Sequence, residues 1–272
     1  MALLRTDWKD EIKAPTKAIA SGTKGEWARK VQEWLNLHRY HTPRFKVGIS
    51  VDGDYGAATE SAVKKFQKVT KLPITGIVDA ETWKVLVAPM VRAFDDVDLP
   101  SDASFRKTVL HVAARFEKEH PTELRGNRGP WVRAFMKGND GDDWAWCDGF
   151  VSTVLDHTCN HLGRRLDSVI PWSMSCTKTR RYAESGDYAC AWIDPEDVEA
   201  NPGQVVPGDL MLVVKPGSSN ARHIGIVTEV SGKVLHTIEG NTNDEGSREG
   251  YEVCELRRNT ASGKYGAVHF TL

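Results

Sequence analysis

The chain has 272 residues, of which 40% are hydrophobic and 27% charged. That length allows one large or two modest domains, and that balance suits packed cores rather than a disordered chain. No window approaches the roughly 18 uninterrupted apolar residues of a membrane helix, and residues 1–10 carry charges where a signal peptide has its apolar stretch. The expectation is a protein made in the cytoplasm without a signal peptide and not inserted into a membrane.

The net charge of −1 hides an asymmetry: residues 1–92 balance at +6 and residues 93–272 at −7. A change of sign between halves points to two units with different jobs. A net excess of six positive charges over 92 residues falls short of a nucleic-acid arm, so nucleic acid is not an expected partner. The five cysteines, at 147, 159, 176, 190 and 254, are odd in number, sparse and free of any C-x-x-C pair. A disulfide scaffold is therefore not expected, and at least one thiol stays free in any monomer.

Residues 26–38 place Trp27, Val31, Trp34, Leu35 and His38 at helical spacing. Glycines and aspartates then punctuate a turn at Asp52-Gly-Asp-Tyr-Gly56. Thr59 is a candidate cap for a helix over 60–70, with Ala62, Val63, Phe66 and Val69 as its buried stripe. Pro73 and Gly76 end that helix, and Asp79 or Thr82 opens a short one carrying Trp83, Val85 and Leu86. Residues 23–90 thus read as a three-helix domain after an extension over 1–22. Residues 88–104 are rich in Asp and Pro without periodicity, and an acidic linker is placed at 91–104.

The run Asp52-Gly-Asp-Tyr-Gly-Ala-Ala-Thr-Glu-Ser-Ala-Val-Lys-Lys-Phe-Gln67, followed by Leu72-Pro-Ile-Thr-Gly-Ile-Val-Asp-Ala-Glu-Thr-Trp83, resembles the common three-helix peptidoglycan-binding domain. The resemblance implies bacterial peptidoglycan as the partner, and Asp52, Tyr55 and Thr59 are its substrate-binding candidates. The residues alone show a small helical domain with tight turns at Asp52-Gly53 and Gly56.

Beyond the linker, residues 104–119 form a helical pattern with Val109, Val112, Ala113 and Phe116. Residues 121–130 are loop-like, residues 143–159 are helix-sized, and residues 162–202 read as irregular. The turn Pro207-Gly-Asp209 then launches alternating β segments. Helices first and strands afterwards indicate an α+β domain with an antiparallel sheet.

Trp146, Phe150, Val151, Val154 and Leu155 form an apolar face, so a helix is expected to start near Trp144 with Asp142 or Asp143 as its cap. Cys147 then lies in the first turn or two, where unpaired N–H groups and the helix dipole favour thiolate over thiol. That is the requirement for a cysteine nucleophile; a buried, inert cysteine is the competing reading. Residues 223–230 and 234–241 flank the turn Ser231-Gly-Lys233. A three-residue loop pairs Val230 with Val234 and Ile226 with Ile238, and puts Ile224, Ile226, Val230, Val234 and Ile238 on one face. A two-residue loop would place Thr237 opposite Ile226 and break the pattern. In the favoured register His223 faces Asn241, with Glu239 diagonal to it. A histidine base needs such partners, one ring nitrogen taking the thiol proton while the other is held by a carboxylate or amide.

Gly126-Asn-Arg-Gly-Pro-Trp-Val132, Trp146-Cys-Asp-Gly-Phe-Val151, Pro207-Gly-Asp-Leu210, His223-Ile-Gly-Ile-Val227 and Ile238-Glu-Gly-Asn241 together resemble the CHAP-type amidohydrolase/peptidases, papain-like cysteine enzymes that cleave peptidoglycan. The resemblance spans about residues 105–272. It implies Cys147 as nucleophile, His223 as base, and Glu239 and Asn241 as orienting groups. One departure is Asp148, where small residues are frequent; a carboxylate there opposes thiolate formation unless it points away or binds something. Trp131, Trp144, Trp146 and Trp172 are candidates to line a groove, although tryptophans are more often core; Trp146 and Trp172 are carried forward as substrate-binding residues.

Two further patterns carry other chemistry. Residues 138–143 are oxygen-rich, and Asp140, Asp142 and Asp143 are the calcium candidates, against a solvated capping loop; no cofactor is otherwise expected. His157 and His161 at i, i+4 have metal-binding spacing, without a glutamate base between them. The combined expectation is an all-α three-helix bundle followed by an α+β papain-like domain, monomeric and endolysin-like. It would act as an N-acetylmuramoyl-L-alanine amidase or endopeptidase on the wall after holin-type release or secretion. A wall-degrading interbacterial toxin of the same chemistry and a non-catalytic wall-binding protein are the alternatives.

Overall fold

The structure, a computed structural model, describes residues 8–95, 103–215, 217–243 and 250–272. Residues 8–95 together with 122–141 form one compact unit. Residues 103–121 and those from 142 onward form the other. Among the described residues no helix is long and apolar enough to cross a membrane.

The first unit is helical, with α1 (Lys9–Ile12), α2 (Glu26–His41), α3 (Ala57–Val69) and α4 (Ala80–Phe94); α5 (Phe105–Glu119) lies in the second unit, and α6 (Pro130–Phe135) returns to the first. Its core is aromatic: Trp34, Tyr55, Phe66, Trp83 and Trp131 are almost wholly buried. Two buried glutamines organise it in parallel fashion. Gln32 Oε1 accepts from the N–H groups of Asp52 and Gly53, while its Nε2 donates to Asp52 Oδ1, the Asp54 carbonyl and Thr59 Oγ1. Gln67 Oε1 accepts from the N–H groups of Thr75 and Gly76, while its Nε2 donates to Thr75 Oγ1, the Ile77 carbonyl and Thr82 Oγ1. The same helix–turn–helix device is therefore used twice, and each glutamine side chain satisfies the backbone N–H groups of a tight turn.

Three sequence expectations change here. Thr59 does not cap α3: Gly56 is the N-cap residue, and the Thr59 hydroxyl lies within the first turn, receiving Gln32. Asp79 does cap α4, accepting from the Thr82 N–H at 2.8 Å, but that helix runs on through Pro89 to Phe94. Met90, Ala93 and Phe94 extend its buried stripe, and Phe94 stacks on Trp8 at 4.4 Å. This burial carries the helix through what composition presented as the start of a linker; residues 96–102 of that linker lie outside the described residues. Finally, residues 122–141 pack with the helical unit, and a buried ion cluster shows why. Arg133 binds Glu11 and Glu33, each through two hydrogen bonds, and also Asp140 at 2.8 Å. Buried guanidinium and carboxylates must be paired, so the segment bearing Arg133 is tied to α1 and α2.

The second unit is an antiparallel six-stranded sheet with helices. The strands are β1 (Cys190–Ile193), β2 (Leu210–Val214), β3 (Ala221–Ser231), β4 (Val234–Thr242), β5 (Glu252–Asn259) and β6 (Tyr265–Phe270), in the order β1-β6-β2-β3-β4-β5. The helices are α5, α7 (Cys147–His161), α8 (Cys176–Ser185) and α9 (Pro195–Ala200). The stretch 162–202, irregular by sequence, thus contributes two helices and an edge strand. Met211, Val213, Val227, Leu235, Tyr265 and Ala267 form a core with Val198 of α9 and Val205. Gly240 of β4 lies directly under α7: a Cβ there would meet Phe150 and Trp146 at 2.9 Å. The Pro207-Gly-Asp209 turn is an anchor. Its buried Asp209 carboxylate accepts from Val206 N, Phe270 N and Arg106 of α5, and pairs with His269.

The β3–β4 hairpin has the expected pairing of Ile226 with Ile238, but not the expected loop. Ser231 pairs with Val234 across a two-residue turn in which Gly232 has φ +58°. An irregularity between Val227 and Glu229 restores the register nearer the strand start. A bulge inserts one residue on one strand, so Val230 joins the Val227–Leu235 cluster instead of the Ile226 face.

Candidate active site

Cys147 is the first residue of α7. The helix begins three residues later than its apolar pattern suggests, with Trp146 rather than an aspartate at the N-cap and no side-chain cap on the helix itself. Asn241 of β4 holds this entry instead: its Oδ1 accepts the Trp146 N–H at 3.0 Å, and its Nδ2 donates to the Gly250 carbonyl at 2.9 Å. Asn241 does this with φ +56°, in the left-handed region that asparagine tolerates better than most residues. The later start brings Cys147 to the extreme N-terminus, where backbone N–H groups lack intrahelical acceptors and the dipole is most positive.

His223 stands near the start of β3, buried, with its Nε2 2.6 Å from Glu239 Oε2. Glu239 lies opposite Gly225 and reaches His223 diagonally across it. Only glycine permits that path, since a Cβ at 225 would fall 2.4 Å from Glu239 Cγ. The Glu239 carboxylate is wholly buried and fully engaged. Arg258 of β5 grips it with two hydrogen bonds, Nε to Oε1 at 2.8 Å and Nη2 to Oε2 at 2.5 Å, and Thr237 Oγ1 donates to Oε1 at 2.5 Å. His223 Nδ1 is buried and makes no hydrogen bond among the described residues; Cys147 and Glu239 are the groups that favour protonation of the ring.

A second helix, α8, completes the cluster. Cys176 opens α8, and its Sγ lies 3.6 Å from Cys147 Sγ. Thr177 pins that end of α8 to β3, donating to the Ala221 carbonyl and accepting the Ala221 N–H. Asp148 points into α8, where Thr179 Oγ1 sits 3.0 Å from both its oxygens.

The charges follow from these contacts. Cys147 is drawn well below the usual thiol range, first by the hydrogen bond from Cys176, then, against burial, by His223 and the Asp148 N–H. The same hydrogen bond and burial push Cys176 well above that range. For His223, burial works against protonation, but Cys147 and Glu239 outweigh it and raise its pKa to about 9. Burial disfavours the Glu239 anion, yet Arg258 and His223 hold it down to about 2. Asp148 is pushed up to about 6 by burial, with the Cys147 charge adding to the rise. These shifts favour a thiolate at Cys147 and an imidazolium at His223, with a carboxylate and a guanidinium behind the ring. Alkylation of Cys147 by iodoacetamide, followed by peptide mass spectrometry, is therefore expected to change little between about pH 6 and 8. An ordinary thiol speeds up nearly tenfold per pH unit in that range; such a slope at Cys147 would rule out the pair.

The structure brings Cys147, His223, Glu239 and Asn241 into one region, with Glu239 on the imidazole and Asn241 on the backbone before Cys147. Arg258 and Cys176 were not among the sequence candidates. Arg258 is recognisable only once β5 is paired with β4, and Cys176 only once α8 is placed. Trp146 is buried beside Gly240, and Trp172 is half-buried. In the helical unit Tyr55 is fully buried and donates to the Gly76 carbonyl, while Asp52 and Thr59 bind Gln32. Trp131 belongs to the core of that unit, against Trp34 and Phe135. Asp140 engages Gly129 N and Arg133, whereas Asp142 and Asp143 are exposed. His157 is a core residue beside Phe116, lowered by burial to about 3. Among the described residues no group of three or more His, Cys, Asp or Glu side chains is arranged to hold a metal ion.

Residues 24–86 match the family model of the peptidoglycan binding domain. No curated protein matches the chain. A solved structure titled "The crystal structure of Ly7917" aligns with 62% of this chain at 11% identity and a TM-score of 0.32, and the chain spans 63% of that protein's length. The N-terminal domain thus associates the chain with the bacterial cell wall.

Proposed function

We propose that this wall-binding domain delivers a cysteine hydrolase to peptidoglycan, and that Cys147 cleaves an amide bond of the stem peptide. The observation that carries the reading is the alignment of Cys147, at the N-terminus of α7, with a buried His223–Glu239–Arg258 relay. A helix N-terminus packed against an antiparallel sheet, with His223 on a strand, supports the papain-like reading that the CHAP resemblance implies.

The Cys147 thiolate attacks the carbonyl carbon of the scissile amide, and the oxyanion develops where the first backbone N–H groups of α7 point. The His223 imidazolium gives its proton to the leaving amine, forming an acyl-enzyme. Neutral His223 then takes a proton from water, which attacks the thioester and regenerates the thiolate. Glu239 keeps its charge throughout and fixes the ring through Nε2, leaving Nδ1 for the reaction. Arg258 fixes Glu239 in turn. Both the muramoyl–alanine amide and the peptide cross-links present such a bond, so amidase and endopeptidase are the two activities of this chemistry.

Purified peptidoglycan digested with the full chain is expected to yield free stem peptides or new amino termini by mass spectrometry, and prior treatment with iodoacetamide should abolish them. Products that persist after complete alkylation of Cys147, or no products from folded protein, would overturn the reading.

A further inference from the structure

Cys176 lies 3.6 Å from the nucleophile at the start of a helix whose first turn is tied to β3 and to Asp148. We propose that Cys147 and Cys176 form a reversible redox pair, in which a peroxide oxidises Cys147 and Cys176 resolves it to a disulfide. The inference deepens the reading above, because it regulates the same thiol.

The chemistry balances. The Cys147 thiolate attacks one oxygen of hydrogen peroxide, so an S–O bond forms, the O–O bond breaks and hydroxide leaves to be protonated to water. Cys147 is then a sulfenic acid. Cys176 attacks the Cys147 sulfur, forming the S–S bond as the S–O bond breaks, and its proton departs with that oxygen as a second water. Two thiols are oxidised and one peroxide is reduced. A disulfide needs about 2.05 Å between sulfurs, and side-chain rotation at two helix starts can supply the approach from 3.6 Å.

The pair is also asymmetric in the required sense. Cys147 is the thiolate and reacts first. Cys176 is kept protonated chiefly by the Cys147 anion and by burial; oxidation of Cys147 removes that anion and frees Cys176 to attack. Cys159 and Cys190 are held as thiols, pushed by burial to about 12 and about 11. Oxidation is therefore directed to Cys147 and Cys176 rather than to Cys159 or Cys190.

The test treats the full chain with hydrogen peroxide, blocks remaining thiols with N-ethylmaleimide and maps unreduced peptides by mass spectrometry. The expected result is a peptide pair joined through Cys147 and Cys176, loss of two of the five free thiols, and recovery of both with dithiothreitol. In Cys176→Ser, Cys147 should instead proceed to sulfinic acid, which dithiothreitol does not reverse. If that variant does not fold, the wild-type map alone decides. Over-oxidised Cys147 beside a maleimide-labelled Cys176 in wild type, or two unreactive thiols, would overturn the proposal. A cross-linked protein whose reduced form digests no peptidoglycan would sustain the redox pair and sink the hydrolase. Digestion without any cross-link would do the reverse.

Discussion

Cys147→Ala is expected to lower kcat/KM on peptidoglycan by about a thousandfold or more while leaving the protein folded and able to pellet with cell walls. The magnitude follows from removing the group that forms the covalent intermediate, after which only binding and oxyanion stabilisation remain. The folded state should tolerate the change, because alanine fits where the thiol was and Cys176 loses one weak hydrogen bond. Cys147→Ser should be nearly as inactive: the helix end, Cys176 and His223 can hold a thiolate, but a serine hydroxyl ionises far too weakly to follow. Retained pelleting matters as much as lost turnover, because it separates the two units. The match to the peptidoglycan-binding family ends at residue 86, well before Cys147. Residual turnover within tenfold of wild type would remove Cys147 from the chemistry.

Glu239→Gln is expected to reduce turnover by roughly a hundredfold to ten-thousandfold and to destabilise the second unit by about 3 kcal/mol. The catalytic loss is the one seen when the carboxylate behind a catalytic histidine becomes an amide, which no longer enforces the tautomer or stabilises the imidazolium. The stability loss has a separate origin. Glu239 titrates near 2 when folded against an ordinary glutamate value of 4.5, and each pH unit of difference corresponds to about 1.4 kcal/mol. Because the folded value is depressed, this stabilisation is complete above about pH 4.5 and fades as pH falls towards 2. The gap between wild type and variant in denaturant unfolding should therefore close over that acid window. His223 has the opposite sign. Its folded value near 9 exceeds the ordinary 6.5, so its contribution is complete below about pH 6.5 and is lost as pH rises through 9. With Glu239 gone, that alkaline loss should move to lower pH. A variant with unchanged turnover, unchanged stability at pH 7 and an unmoved alkaline limb would show that the Arg258–Glu239–His223 chain carries neither task.

Much of the helical unit was legible because its information is local. Trp34 and Leu35, or Ala62, Val63 and Phe66, repeat at helical spacing, and Asp79 sits where a cap must sit. The two glutamine-centred turns show their glycines at 53 and 76, though not the side chains that fill them. Pro89 and the acids after it looked like a linker because composition carries no knowledge of Trp8 stacking on Phe94. The hairpin register failed in its loop and succeeded near His223, since a bulge obeys the whole sheet rather than the turn residues.

The chain's own pattern names the kinds of groups available: a cysteine entering a helix, a histidine on an alternating strand, and a carboxylate and an amide two residues apart on the next. Periodicity and chemical type are written along the chain, so they survive without coordinates. Only the tertiary structure decided that Glu239 takes the imidazole while Asn241 fixes the backbone before Cys147. It also brought in Arg258 from β5 and Cys176 from α8, 19 and 29 residues away in sequence from Glu239 and Cys147. Those choices depend on strand pairing, on a glycine leaving room at 225 and on where a helix begins in space. Each is settled by burial and hydrogen bonding between elements that no local pattern connects.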